Sequence, residues 1–350
     1  METLPPALFS QALDPLGTLM KAVVLDSFGE PADVLRILDV PEPKPGAGQV
    51  RVRMLASPVN PSDLLLTRGR YVFRPQLPAR PGFEGVGIVE EAGPGLYGRF
   101  LVGRRVAVLN GEGGNWAESA LIPATQAIPV GKDLPDEQVA SYFVNPATAL
   151  AMVRHVLKVE KGEWLLQSAA TSALGKMIIR LGRRDGFKTL NVVRRPEAIE
   201  ELKALGADEV ICSTEGPIPE QVRRIVGANG VRCAIDPVGG ETGTGLYDSL
   251  AADGMLVVYG SLTPEPIRID PRSMISAKRT VRGFWLGHWM RERSKLAALT
   301  MFRQIAELIR LEILATDLGP SFPIEAIGEA VQAAEQPGKP GKVLLSIGRT

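Results

Sequence analysis

The sequence predicts an α/β protein: a doubly wound parallel sheet joined to a β-rich unit that is partly a barrel. Three observations predict it. From Lys21 to about Phe143 short alternating runs are separated by turn residues, the pattern of antiparallel strands. From about Asn145 strands alternate with helices, the pattern of a parallel sheet covered on both faces. Within that second region a strand passes through a turn of small residues straight into a helix, at WLLQSAATSALG. A chain of 350 residues is long for one core, so two domains are expected.

Residues 1–19 read as an extension. They hold Glu2 and Asp14 but no Lys or Arg, and so match neither a secretory signal nor a transit peptide. Met20 opens the first strand, MKAVVL. VLRILDV, QVRVRML, GVGIVEEAG and RRVAVLN follow, punctuated by PEPKPGAG and GEGGN. The β-rich domain is therefore placed at 20–143 and the α/β domain at 144–313. In the latter ATALAMVRHVL is helical. The strands GEWLLQSAA, TLNVVRR, DEVICS, VRCAID and MLVVYGS then alternate with the helices SALGKMIIRLGRRDG, EAIEELKALG, PEQVRRIVGANG and TGLYDSLAADG. RTVRGFWL is expected as the sixth strand, lying at an open, apolar edge that invites pairing with a second copy. A long helix follows from about Ser294 to Ile313. Residues 314–350 are expected to return to the first domain through a lone strand, KVLLSI.

Composition narrows the function. Apolar residues make up 45% of the chain, and Gly 37 with Pro 28 implies turns rather than disorder. The formal net charge of +1, with no run of one sign, argues against nucleic acid or an acidic membrane surface as partner. Cys212 and Cys233 are too few for a disulfide framework and lie in apolar strands, which fits a reducing cytoplasm. No stretch approaches the length of a membrane span.

The turn Ala170-Thr171-Ser172-Ala173-Leu174-Gly175 stands where a parallel sheet cradles a pyrophosphate on the N–H groups of a helix N-terminus. The glycine fingerprint survives only as Ala170-x-Ser172-x-x-Gly175, and the alternative is a helix start that merely packs. In an enzyme for NAD the next strand ends in an acid that bonds the ribose 2′-hydroxyl. Here it ends in Arg194-Arg195, which suit the 2′-phosphate of NADPH unless they are simply solvated.

With these pieces laid out, the chain resembles the medium-chain dehydrogenase/reductase superfamily from Met20 to its end. MKAVVLDSFGEPADVLRILDVPEPKPGAGQVRVRM and SPVNPSDLLLTRGRY are similar to its zinc-independent, quinone-reductase-like branch. VNPATALAMV, TLNVVRR, VVYGSL, RGFWL and GKVLLSI look like the mitochondrial-type 2-enoyl thioester reductases of fatty acid synthesis. The resemblance implies a Rossmann-type cofactor domain, a GroES-like catalytic domain and a small-molecule substrate; the open edge of the sixth strand predicts a homodimer. The resemblance also implies that Asn145 touches the cofactor, that Thr171, Ser172, Ala173 and Leu174 form the pyrophosphate turn, and that Arg194 and Arg195 clamp the 2′-phosphate. It places Tyr259, Gly260, Ser261 and Leu262 in a nicotinamide-side loop, Phe284, Trp285 and Leu286 along the nicotinamide, and Lys342 at a C-terminal cofactor contact. A plain core strand remains the alternative for Phe284 and Trp285, and a solvated lysine for Lys342. Ala173 replaces a glycine usual in the family, and Arg195 an acid often found there.

Zinc-dependent relatives carry Cys, His and Cys or Asp at three slots that here correspond to Asn60, Phe83 and Asn145, which make no zinc ligand set. His155, in a helix, reads as a packing histidine, and His288 borders Trp289. No metal is expected. Reducing an activated C=C then needs a hydride from NADPH and a proton donor for the enolate. The resemblance puts Tyr71 at the donor position; a phenol with pKa of about 10 stays protonated at neutral pH. Gly69 gives the loop freedom to swing, although Tyr71 could equally pack or cap it. Asn60, Ser62 and Asp63 read as scaffolding. The leading expectation is an NADPH-dependent enoyl thioester reductase. Quinone or general enone reduction is the alternative, and NADPH binding without turnover a third.

Overall fold

The computed structural model describes residues 18–348, so the extension expected at 1–19 lies, up to residue 17, outside the described residues. Two units form. One is the chain up to Tyr142 together with that from Asp317 on, and the other runs from Phe143 to Thr316.

In the first unit β1 (Leu19–Leu25) pairs antiparallel with β2 (Leu35–Pro41), the short α1 (Pro31–Val34) lying between them. β3 (Gln49–Pro58) shows how the sequence sets a face. Val50, Val52 and Met54 point into the core while Arg51 and Arg53 point out, a period of two. α2 (Pro61–Thr67) begins at a proline, whose missing N–H costs nothing in a first turn. Then come β4 (Glu84–Ala92), α3 (Leu96–Leu101), β5 (Arg105–Leu109), β6 (Ser119–Pro123), β7 (Ala127–Pro129) and α4 (Asp136–Ala140).

The second unit opens with α5 (Val144–Leu150), which continues into a π-helical turn over Ala151–Val156. Strand and helix then alternate. The order is β8 (Trp164–Gln167), α6 (Ala173–Asp185), β9 (Lys188–Val193), α7 (Ala198–Leu205), β10 (Glu209–Cys212) and α8 (Ile218–Val226). β11 (Val231–Asp236), α9 (Gly240–Asp248), β12 (Leu250–Val258), α10 (Pro271–Ala277) and β13 (Thr280–Gly283) complete the pattern. α11 (Leu286–Arg291) and α12 (Lys295–Arg310), the latter capped by Ser294, end the unit. Its six strands are parallel in the order β10-β9-β8-β11-β12-β13. Chain direction across the sheet reverses between β8 and β11, and such a switch point opens a crevice at the carboxyl ends of the strands.

Two expectations need correction. The sixth strand stops at Gly283 instead of running through Leu286. Its neighbour β12 ends opposite it at Val258, so only the Phe284 N–H still reaches the Val258 carbonyl, at 2.8 Å. Trp285 becomes the N-cap of α11. KVLLSI is not a lone strand either. It is β15 (Lys342–Ser346), antiparallel to β3 and parallel to β14 (Leu318–Pro323), with α13 (Ile327–Glu335) between them. β14 hides in LGPSFP because two prolines and a glycine erase the strand signal. β15 and β14 complete the seven-stranded sheet β14-β15-β3-β4-β5-β7, with β6 pairing β3.

Candidate functional site

Of the sequence-predicted sites on the second unit, the 171–174 turn, Arg194 with Arg195, 259–262 and 284–286 follow the carboxyl ends of its parallel strands. β8 ends at Gln167, and the turn 168–172 follows. Ala169 takes the left-handed conformation at φ 48°, which turns the chain sharply enough to enter α6. Ser172 is the N-cap, its hydroxyl accepting the Gly175 N–H at 3.1 Å. Thr171, Ser172 and Ala173 are half-buried and Leu174 is buried. Gly175 is there because nothing else fits: a Cβ would stand 2.5 Å from the Ala170 carbonyl oxygen and 2.7 Å from its Cα. The first N–H groups of α6 have no acceptor within the helix and face the anion-receptive end of its dipole.

Directly beside β8, β9 carries the buried Asn191-Val192-Val193 and then delivers Arg194 and Arg195 to solvent. No carboxylate ends that strand. Tyr259 and Gly260 follow β12 half-buried, while Ser261 and Leu262 are exposed. Phe284, Trp285 and Leu286 follow β13 half-buried; Phe284 lies 6.4 Å from Trp289 and Trp285 stacks edge-on to His288 at 4.5 Å. Asn145, half-buried, occupies the first turn of α5, away from this run of strand ends in the chain. His155 lies 5.5 Å from the Trp289 ring, its imidazole held below the usual range by burial and by Arg293 and Arg154.

Sequence reasoning missed Asp236, the last residue of β11. It is fully buried; the Ser168 hydroxyl donates to Oδ1, and the N–H groups of Val238 and Gly239 donate at 3.1 and 2.7 Å. Burial raises this carboxyl against the pull of those donors. Asp236 therefore ties the start of the turn before α6 to the loop after β11, across the switch point. It also raises the Tyr259 phenol, second to burial. An acid closing an apolar strand ahead of Pro-Val-Gly-Gly was the available signal.

Tyr71 and Lys342 belong to the first unit. Tyr71 follows α2 and rests on two rings, 5.1 Å from Phe83 and 5.3 Å from Phe73. The expected swing of its loop is restrained. Gly69 has φ +65° but lies against Phe28, where a Cβ would come within 2.9 Å of the ring, and Arg74 Nε bonds the Gly69 carbonyl at 2.8 Å. Lys342 is buried rather than solvated. Its Nζ donates to Asn60 Oδ1 at 2.7 Å, which leaves two N–H groups for any other contact.

Asn60 in turn donates to Glu84 Oε1 at 2.8 Å, and Asp63 accepts the N–H groups of Asn60 and Phe83 at 2.9 and 3.1 Å. Two carboxylates and one ammonium are thus buried around one amide. Burial, and secondarily Glu84, pushes Asp63 up to about 7 against its backbone donors and Lys342, while burial lowers Lys342. Asn60 is held by protein hydrogen bonds to Glu84 and Lys342, and Phe83 packs its ring against Tyr71 and Phe73. Asn60 and Asp63 are scaffolding with charge consequences, which the VNPSD turn alone did not reveal.

Residues 46–132 match the family described as alcohol dehydrogenase GroES-like domain, and residues 173–302 that described as zinc-binding dehydrogenase. A Xenopus tropicalis protein named enoyl-[acyl-carrier-protein] reductase, mitochondrial, is 31% identical over 332 residues, covering 93% of this chain and 95% of its own. A crystal structure of a candidate NADPH:quinone reductase from Bacillus thuringiensis superposes with a TM-score of 0.87 at 32% identity, over 94% of this chain and 99% of the other. A mycobacterial protein solved in complex with NADPH gives a TM-score of 0.85 at 27% identity, over 93% and 99%.

Proposed function

Because the chain belongs to the medium-chain dehydrogenase/reductase superfamily, we propose that it is a zinc-independent, NADPH-dependent reductase of the C=C bond of 2-enoyl thioesters. The cofactor half of the reading rests on one observation above the rest. The small-residue turn at the end of β8 lies beside a strand that ends in two exposed arginines and no acid. An N-terminal helix dipole receives a pyrophosphate, and guanidinium groups receive a 2′-phosphate that a carboxylate would repel. The NADPH complex of the mycobacterial relative supports the same choice.

Bound there, NADPH supplies a hydride to the β-carbon of the substrate. The protein does the rest. Thr171, Ser172, Ala173 and Leu174 hold the pyrophosphate; Arg194 and Arg195 hold the 2′-phosphate. Tyr259, Gly260, Ser261 and Leu262, with Phe284, Trp285 and Leu286, shield the nicotinamide side from water, and Asn145 and Lys342 add polar contacts. The Tyr71 hydroxyl gives its proton to the enolate, held in place by the rings of Phe73 and Phe83. The enzyme works as a cytoplasmic homodimer that pairs through the β13 edge; a monomer by light scattering at micromolar concentration would remove that part.

Enoyl-CoA and enoyl carrier-protein thioesters are set against quinones, with NADPH oxidation followed by absorbance. Tyr71→Phe should lower kcat on a short enoyl-CoA by about 10²–10⁴-fold, the usual general-acid range, while KM moves less. Quinone reduction should suffer less, since a reduced quinone can take its proton from water. Wild-type turnover of enoyl-CoA by Tyr71→Phe would end the assignment of the donor. The likeness to a candidate NADPH:quinone reductase favours a second reading, quinone or enone reduction at the same site. No NADPH oxidation with any substrate would leave only cofactor binding.

A further inference from the structure

We propose that α3 and the turn after it form a docking surface for an anionic lipid bilayer. One face of α3 is already used: Leu101 is fully buried, and Gly98 sits so close to Val50 and Ala92 that an added Cβ would meet each at 3.3 Å. The other face has no core to join. Leu96 is 87% exposed, Phe100 59% and Tyr97 48%, and Val102 just beyond the helix is 46% exposed. Leu96 and Phe100 are four residues apart and so stand one above the other on the helix surface. Four large apolar side chains within seven consecutive positions are an uncommon exposure for a water-soluble surface.

Along the chain beside them the charge is of one sign. From Ala92 to Gly111 the sequence has no Asp or Glu, and it has Arg99, Arg104 and Arg105. Asp136 takes up Arg105. Arg99 and Arg104 remain exposed. The Arg104 guanidinium lies 3.9 Å over the Phe100 ring and bonds the Phe100 carbonyl at 2.9 Å, so cation and aromatic are presented together. The acids that precede the segment are engaged elsewhere: Glu90 by Arg53 at 2.8 Å and Glu91 by Arg51 at 3.4 Å.

This charge selects the occupant. A second copy docking two-fold on the same patch would set Arg99 and Arg104 against themselves. A protein partner would need roughly 800 Å² on each side for a stable interface, far more than four side chains on one turn of helix provide. A bilayer makes neither demand. Aromatic and aliphatic side chains enter the boundary between headgroups and acyl chains, and arginines draw to anionic headgroups. The contact proposed is peripheral, and no helix among the described residues is long and apolar enough to cross a membrane. The net charge of +1 argued against an acidic membrane surface only because it averages over this local asymmetry.

The test is co-sedimentation of the whole protein at low salt with vesicles of phosphatidylcholine containing about 30% phosphatidylglycerol, beside pure phosphatidylcholine. Binding is expected to the anionic vesicles and to be weak on the neutral ones. Arg99→Gln with Arg104→Gln should lower partitioning about 30-fold, since each arginine near an anionic surface is worth about fivefold. Leu96→Ser with Phe100→Ser should abolish it, leaving NADPH-dependent turnover unchanged. Ile275→Ser, at a side chain 77% exposed on the other unit, should change nothing. Absence of sedimentation, or equal binding to neutral vesicles, or binding unmoved by the paired variants, overturns the proposal. So does a change of oligomeric state in Leu96→Ser with Phe100→Ser, which would make the patch a protein interface.

Discussion

Gly175→Ala should both unfold the protein more easily and loosen the phosphate turn. The new methyl carbon would meet the Ala170 oxygen at 2.5 Å and the Ala170 carbonyl carbon and Cα at 2.7 Å each. Carbon atoms rest about 3.5–4.0 Å apart, so helix and turn must separate by roughly 1 Å. All three obstacles are backbone, and no rotamer can relieve them. Overpacking of this kind costs about 1–3 kcal/mol. Loss of the bond from the Gly175 N–H to Ser172 Oγ adds about 1 kcal/mol. Alanine returns about 1 kcal/mol through its helix propensity. The net expectation is a loss of about 1–3 kcal/mol, read by urea unfolding followed by circular dichroism with linear extrapolation. On the proposed function the displaced turn would make charged hydrogen bonds to the pyrophosphate, worth about 1.5–3 kcal/mol each, so losing one should raise the NADPH Kd about 10- to 150-fold. Gly328→Ala is the matched control. That glycine also lies in the first turn of a helix, α13, but nothing stands within 4 Å of its added Cβ. It should gain about 0.5–1 kcal/mol. If Gly175→Ala is as stable as wild type and binds NADPH as well, the turn is not packed as described and the argument from close approach fails.

Arg194→Ala should raise the NADPH KM about 10- to 150-fold, the worth of one charged hydrogen bond, and leave the NADH value nearly unchanged. Equal losses with both cofactors would take Arg194 out of the 2′-phosphate site. The buried Asp63 gives a pH dependence of definite sign. Its carboxyl is raised to about 7 in the folded protein from 3.8, so between those values the folded state holds a proton that the unfolded chain has released. Its stabilising share is complete below pH 3.8, falls by up to about 1.4 kcal/mol per pH unit as pH rises, and is gone above about 7. Asp63→Asn should be less stable overall, because an amide offers one oxygen to two backbone donors. Its stability should also fall less than that of wild type between pH 4 and 7 in urea titrations. Parallel curves would show that Asp63 stays ionised throughout.

The buried network around Asn60 gathers charge away from water. Two carboxylates taken out of water need a nearby cation or proton. Lys342 provides the one, reaching in from β15 to Asn60, and the raised Asp63 accepts the other. Breaking one partner of such a group leaves the others buried without compensation, which is why it reads as a unit and not as separate scaffolding residues.

The alternation of strands and helices in the second unit from β8 to β12 was written in the sequence itself, whereas α10 and α11 were not read from it. Its apolar runs and turn residues recur with the periods that the parallel sheet requires, and the Ala170–Gly175 turn stands in the only order, strand to turn to helix, that lets a helix N-terminus face an anion. Arg194 and Arg195 were legible for the same reason, since a residue at the end of a strand has its position fixed by the strand. What the sequence could not decide were matters of partnership between distant segments. The length of β13 was set by where β12 stops, and β14 became a strand only because β15 lies beside it. Lys342 was buried by Asn60, which lies 282 residues earlier in the chain. Asp236 acquired its role from Ser168, and Gly69 lost its freedom to Phe28. Local periodicity reports which face a residue turns to the core, because that is a property of neighbours along the chain. Which group waits on that face, and whether a buried charge is met there, is decided by contacts whose free energy exists only once the chain has closed upon itself.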